Sequence, residues 1–461
     1  MIVGFPQIPR EFYRDYFKAL VLLALVPLFP EYLSFFLIVG ALVFAIKDIK
    51  TSGANIKIGT LGWMITAYCL YLSVTCIYST HPLQSVLATV LWWFMLLAYL
   101  MIVNLITDKH RLDSFLFCVS TVAGLVGFIA FVQNRLNVYF GVPICSLWDW
   151  LDRVVFAVVP FDLTLVSFPT RSYSTFPNPN MLAQYLIMAA PAVIAYNFIE
   201  NRIGMRLYNR SCLVMTAVGV MVSFSRGGYL ALISLALVLI IINIRKRFAT
   251  VLLYLSTSLL FIPKTVYSRL TTLNASGRLH IWAEAVRKIA QRPLFGYGAG
   301  TEPSAVIFDR VGLDAPHAHN MMLQVLMEGG CVALIILAAI ALVLFKNGLS
   351  LLRSKNTSSF WAGFAMCGFV CATFLHGMVD YPLTTPKLIC CFLSLLALAE
   401  RFFVLYADKQ NRKKTPRGFP RGENCYSASM PSYHRNTLKI RFAAACKWPM
   451  WMPPVRGPSP R

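Results

Sequence analysis

A chain of 461 residues that is 57% hydrophobic and only 13% charged lies outside the soluble globular class, where charged residues make up roughly a quarter of the total. Its formal net charge of +23 would suit nucleic acid, but the basic residues fall in short clusters between apolar runs and in the C-terminal tail. That distribution argues against a nucleic-acid partner and for the cytoplasmic connections of a polytopic membrane protein whose partner is the lipid bilayer.

Apolar runs near the ~17–25 residues needed to cross a bilayer recur from end to end. About twelve spans are predicted, over 18–30, 32–46, 60–79, 86–106, 112–133, 179–199, 211–225, 228–244, 248–263, 320–345, 360–376 and 387–406. The first follows a basic start (Arg10, Arg14, Lys18) and leads into the second without a small-residue cleavage site, so it is read as a retained span. Every second connection carries a basic cluster: Lys47, Lys50 and Lys57; Lys109 and Arg111; Arg202, Arg206 and Arg210; Arg245, Lys246 and Arg247; Lys346, Arg353 and Lys355. The alternation puts both termini in the cytoplasm. The chain then divides into five spans in 1–133, a first long outer loop 134–178, spans six to nine in 179–263, a larger outer loop 264–319, three spans in 320–406 and a basic, low-aliphatic tail 407–461 read as disordered. The expected fold is an all-α polytopic membrane protein whose two outer loops form a partly helical lid.

Most cysteines lie within apolar runs and Cys145 alone falls in an outer loop, so no internal disulfide is expected there. No Cys/His spacing of a zinc site is present either, which leaves the cysteines as small apolar packers.

The first loop contains Trp148 to Phe156, whose mixed apolar and acidic make-up suits an interfacial helix. It ends in Arg171-Ser172-Tyr173-Ser174-Thr175-Phe176-Pro177-Asn178-Pro179-Asn180, where paired prolines stiffen the backbone and carry Arg171 to the mouth of the next span. A Ser225-Arg226-Gly227-Gly228 turn follows on the same outer face. The second loop holds a helix from Ser276 to Gln291, with Ser276 as N-cap and Arg292-Pro293 as its end. Ile281, Trp282, Ala285, Val286 and Ile289 form its apolar face, and Arg278 falls in the middle of that face, where it either snorkels or meets a buried anion. Pro293 to Thr301 is glycine-rich but lacks the Gly-Lys-Ser/Thr of a phosphate loop, so it reads as a structural turn.

Where this loop meets the membrane stands Ala315-Pro316-His317-Ala318-His319-Asn320. A histidine titrates near neutrality and can take a proton from a hydroxyl; an ordinary interfacial histidine is the alternative. Glu328-Gly329-Gly330 interrupts the apolar run that follows, which predicts a kink or half-helix. Glu328 is itself a candidate because it stands inside an apolar run. Arg171, Arg226 and Arg278 are among the few basic residues of the outer connections, and a guanidinium's fixed fork suits phosphate oxygens.

These motifs resemble the O-antigen ligase and polymerase superfamily of bacterial cell-surface glycan enzymes. The resemblance rests on Arg171 with Thr175 to Asn180, on Ser225 to Tyr229, on Ser276-Gly277-Arg278 leading to Trp282, on Pro293 to Thr301, and on His319-Asn320 with Leu323 through Gly330. It implies a GT-C-like architecture in the inner membrane, with the active site on the periplasmic face and an undecaprenyl-diphosphate-linked glycan as donor. It further implies inverting, metal-independent transfer with no cofactor, in which Arg171, Arg226 and Arg278 bind the diphosphate and His319 acts near the acceptor. His317, Asn320, Asn180 and Glu328 are expected to support the site, His317 having no clear counterpart in the family. Ligation to a lipid A-core acceptor is the favoured reading, polymerisation of lipid-linked repeats the runner-up, and transfer to protein a third. A transporter, the rival from another class, would place its ionisable residues near the bilayer midplane and in repeated halves.

Overall fold

The computed structural model describes residues 14–53, 55–143, 148, 171–239, 277–383 and 385–412. Within them every regular element is a helix, and eight of these helices are long and apolar enough to cross a membrane. The protein is therefore an all-α polytopic membrane protein, as the composition requires. The expected ninth span at 248–263, the interfacial helix after Trp148, the Ser276 cap and nearly all of the basic tail lie outside the described residues.

In chain order the helices are α1 (Asp15–Leu25), α2 (Glu31–Ser52), α3 (Gly59–Tyr78), α4 (Pro82–Leu105), α5 (Lys109–Phe140), α6 (Pro179–Ile199), α7 (Ile203–Val222), α8 (Arg226–Leu239), α9 (Arg278–Gln291), α10 (Glu302–Asp309), α11 (Met321–Leu352), α12 (Thr357–Gly377) and α13 (Pro386–Arg412). α6 is the central pillar: 94% of its apolar window is buried, against α5, α7, α12 and α13. α5 and α7 approach so closely that a Cβ on Gly127 would stand 2.1 Å from the Met215 carbonyl oxygen. In a bilayer, where burial from water drives no helix pairing, such small-residue contacts replace it with dispersion between backbones.

The two ends of the bundle differ in chemistry. At one end Arg111 pairs with Asp48 at 3.0 Å and Lys47 with Asp15 at 3.4 Å. Lys57 donates its backbone N–H to Asn104, and Lys109 lies over the Tyr406 ring. At the other end Trp148 reaches the carbonyl of Leu28, Thr175 that of Pro27, and Gln133 that of Ser174. There too Lys387, 1% exposed at the start of α13, donates to the Thr175 carbonyl and lies 4.1 Å from the centre of the Phe176 ring.

α11 breaks at Gly330, whose φ of 62° and ψ of −160° are non-helical. The glycine-rich turn fits into the break. Tyr297 and Gly298 donate to the carbonyls of Met327 and Glu328, while Cys331 and Val332 donate to those of Pro293 and Leu294. Tyr71 Oη completes the exchange on the Gly329 carbonyl. Backbone groups freed by a broken helix cannot turn to water inside a bilayer, so the Pro293–Thr301 turn satisfies them. This ties the start of α11, and the histidines before it, to the rest of the bundle.

Candidate active site

His317 and His319 end the second loop and meet a segment that sequence reasoning passed over, His376-Gly377-Met378-Val379-Asp380-Tyr381, which closes α12 and leads toward α13. Asn320 is the N-cap of α11: its Oδ1 accepts from the backbone N–H of Met322 and Leu323, and its Nδ2 donates to the Met378 carbonyl at 3.0 Å. Capping and docking by one side chain fix the residue before it. His319 is thereby held at φ 48°, a left-handed conformation uncommon outside glycine. Its Nδ1 stands 3.1 Å from Oδ1 of Asp380.

A carboxylate can only accept, so His319 donates from Nδ1 and presents Nε2 as the unprotonated nitrogen. Asp380 is 8% exposed. Burial alone would raise its carboxyl, but the His319 hydrogen bond and the nearby imidazoles of His317, His319 and His376 outweigh it and hold the group well below the usual carboxylate range. The Tyr381 backbone N–H, 2.9 Å from the same Oδ1, also favours the anion.

His317 behaves differently. Burial pushes it down to about 4; Asp380 opposes that shift, while His319 and Arg278 add to it. Its Nδ1 accepts the backbone N–H of His319 at 3.1 Å, so the neutral ring carries its proton on Nε2, which points to Asp380 at 4.0 Å. The two imidazoles meet edge to face at 4.2 Å. His317 is a neutral prop for the His319 backbone.

One ligand atom from each of His317, His319 and Asp380 lies within 4.8 Å of the others, a spacing that could hold a metal ion. The tautomer works against it. A cation on Nε2 of His317 would move that ring's proton to Nδ1, facing the N–H of His319.

The arginines frame the same segment. Arg171 donates from Nε to the Ser223 carbonyl at 3.0 Å and from Nη2 to Oδ1 of Asn180 at 2.6 Å, and Asn180 lines the cleft with both histidines and Asp380. Arg278, at the first residue of α9, sends Nη1 to the Val379 carbonyl. Arg226 opens α8 beside Gly227, where an added Cβ would stand 2.4 Å from Val379 and 3.1 Å from His376. Arg278 and the Gly227 backbone thus meet residues 376–380, and Arg171 reaches the same cleft through Asn180. Glu328 stands apart: it is buried one turn beyond Gln324 and is linked to the site through Tyr381, whose hydroxyl donates to Oε2 at 3.2 Å, and through Gln324 Nε2 at 2.9 Å. Gln324 Oε1 in turn accepts the Ala318 backbone N–H, and Trp282 donates to the Ala318 carbonyl.

Asp380 and His376 were the residues missed. Their signal was present in the chain: two ionisable side chains at the end of an apolar run, in a connection that the basic alternation assigns to the same face as His319.

Residues 211–338 match a family described as O-antigen ligase. The chain is also similar to the "ComP-specific O-oligosaccharyltransferase" of Acinetobacter baylyi, 23% identical over 325 residues, 63% of this chain and 58% of that relative. It therefore spans less than two thirds of the relative's length. Arg226, Arg278, His317, His319 and Glu328 fall within the family match; Arg171, His376 and Asp380 fall outside it.

Proposed function

We propose that the chain, whose residues 211–338 match the O-antigen ligase family, is an inner-membrane glycosyltransferase moving an undecaprenyl-diphosphate-linked oligo- or polysaccharide onto an acceptor hydroxyl, with lipid A-core as acceptor. The observation that carries this reading is the His319–Asp380 pair, 3.1 Å apart, with Arg278 held on the carbonyl of the neighbouring Val379 and Arg171 on Asn180 of the same cleft. A sugar hydroxyl is a weak nucleophile and needs a base within hydrogen-bond reach. Nε2 of His319 is that base, and Asp380 stabilises the imidazolium that forms as the proton is taken. The diphosphate is already a good leaving group and needs charge stabilisation rather than protonation, which arginines supply at any working pH. A single displacement inverts the anomeric centre. With the basic connections in the cytoplasm the cleft opens on the periplasmic face, where a lipid-linked donor is accessible.

The A. baylyi relative's name favours a second reading, in which the acceptor is a protein hydroxyl. Deleting the gene separates these readings. Loss of glycan from the core with accumulation of long lipid-linked polymer supports ligation, and single repeats left on the core support polymerisation. An unchanged lipopolysaccharide with loss of a glycoprotein supports protein transfer. Transfer by the purified protein is expected to be unaffected by chelators; inhibition rescued by one metal would overturn the metal-independent mechanism.

A further inference from the structure

Gln324 and Glu328 stand one turn apart on one face of α11, before the Gly330 break, and touch neither His319 nor Asp380 directly. An acidic residue inside an apolar span is costly and calls for a reason, and Glu328 is only 3% exposed. Its two oxygens serve opposite sides of the site. Oε1 accepts from Nε2 of Gln324 at 2.9 Å, and Oε2 accepts from the Tyr381 hydroxyl at 3.2 Å. Gln324 can present its amide in one sense only, because its Oε1 accepts the Ala318 backbone N–H at 2.9 Å and leaves Nε2 to Glu328 and Ser304. Ala318 is the residue between the two histidines. Tyr381, for its part, donates its backbone N–H to Oδ1 of Asp380, the oxygen that His319 meets. The Gly300 N–H of the glycine-rich turn also faces the Glu328 carboxyl.

We infer that Glu328 is a positioning residue, one carboxyl group that sets the separation and aim of His319 and Asp380 by holding the segment that carries each. Asn320 already fastens these segments at the Met378 carbonyl, one residue after His319 and two before Asp380. The chain Ala318–Gln324–Glu328–Tyr381 fastens them again, one residue before His319 and one after Asp380. The pair is thus bracketed, and two fastenings fix direction as well as distance. Both donors to Glu328 are neutral and buried, so an aliphatic side chain at 328 would orphan them and release both segments. A glutamine would not: its Oε1 accepts from Gln324 and its Nε2 donates to the Tyr381 hydroxyl oxygen, which turns to accept. The holding role stands on these bonds alone; its effect on rate rests on the proposed transfer reaction.

The test compares Glu328→Leu and Glu328→Gln with the wild type as purified full chains in detergent. NMR of isotope-labelled histidine at about pH 8, with His319 assigned by the signal that His319→Ala removes, reads the ring's tautomer directly. The Nδ1–H form is expected in the wild type and in Glu328→Gln, and a mixture of tautomers in Glu328→Leu. In the transfer reaction Glu328→Leu should lower kcat about 10–100-fold with KM within about twofold, and Glu328→Gln should restore kcat to within a few-fold of wild type. A carboxyl that only holds the bundle together would lower the melting temperature of Glu328→Leu and leave tautomer and kcat unchanged, which overturns the inference. So does a Glu328→Gln as slow as Glu328→Leu, since the acid itself rather than its bonds would then be needed. If Glu328→Leu does not fold, Tyr381→Phe breaks only the bond to Oε2 and must show the tautomer mixture; a single tautomer there overturns the inference too. Tautomers that respond as expected in a protein without transfer activity would overturn the proposed reaction and leave the positioning role standing.

Discussion

At the scale of single residues the decisive relation is Asp380 to His319, because in the proposed reaction it fixes which imidazole nitrogen faces the acceptor. Asp380→Asn keeps the shape but can donate to Nδ1, which favours the wrong tautomer. Initial-rate kinetics should show kcat down by about 10²–10⁴-fold with KM little changed; unchanged kcat would remove Asp380 from the mechanism. His317 carries a different prediction. An imidazole titrates near 6.5 when unfolded and at about 4 here, so between those values the unfolded chain binds the extra proton. Stability is therefore lost as pH falls from 6.5 toward 4 and is indifferent to pH above that window. The full gap corresponds to about 3 kcal/mol. Melting temperatures across the window should fall for the wild type and fall less for His317→Gln; equal slopes would mean His317 is not the neutral buried group described. His319, Asn320 and the arginines were legible in the sequence because each stands at a boundary where a polar side chain is conspicuous. Asp380 and His376 carried a weaker signal, two ionisable side chains where α12 ends, and nothing local to them points to residue 319. Only the packing of α12 and α13 against α11 does so.

At the scale of elements the broken helix α11 holds the His319–Asp380 corner in place. Gly330 has a left-handed φ, and a Cβ there would lie 2.3 Å from the Leu294 backbone. Gly330→Ala must expel the Pro293–Thr301 turn or straighten the helix, and about 2–4 kcal/mol of stability should be lost. A melting temperature in detergent within a degree of the wild type would show that the turn does not depend on the break. Asn320→Ala removes the cap of α11 and the bond to Met378 together. It should lower stability by about 1–2 kcal/mol and depress kcat as well, because the same side chain sets the His319 backbone; a stability loss with normal kcat would separate the two roles. The break was legible in Glu328-Gly329-Gly330, since paired glycines inside an apolar run have few other uses. That the glycine-rich turn fills it was not. The hydrogen bonds join residues 30 or more positions apart, and neither stretch carries a pattern naming the other. The α9 helix was expected to start at a Ser276 cap; within the described residues it begins at Arg278 after Gly277 in a left-handed conformation.

At the scale of the whole molecule, the all-α polytopic class followed from hydropathy alone, because a bilayer leaves a chain few ways to satisfy its backbone. Span ends were less legible: α5 continues to Phe140 and α2 to Ser52, since an amphipathic turn at an interface has no sharp apolar edge. The bundle collects the early basic connections at one end and the cleft at the other, and the proposed mechanism needs that separation: an acceptor hydroxyl and a lipid-borne diphosphate must meet where helix ends supply histidine and arginine together. Its central claim is that Nε2 of His319 deprotonates the acceptor. The most direct measurement is the initial rate of glycan transfer by purified His319→Ala in liposomes carrying the lipid-linked donor and acceptor, beside wild-type protein incorporated to the same level. A rate reduced by at least about 10²-fold, with donor binding intact, is the predicted result. A rate within a few-fold of wild type would contradict it.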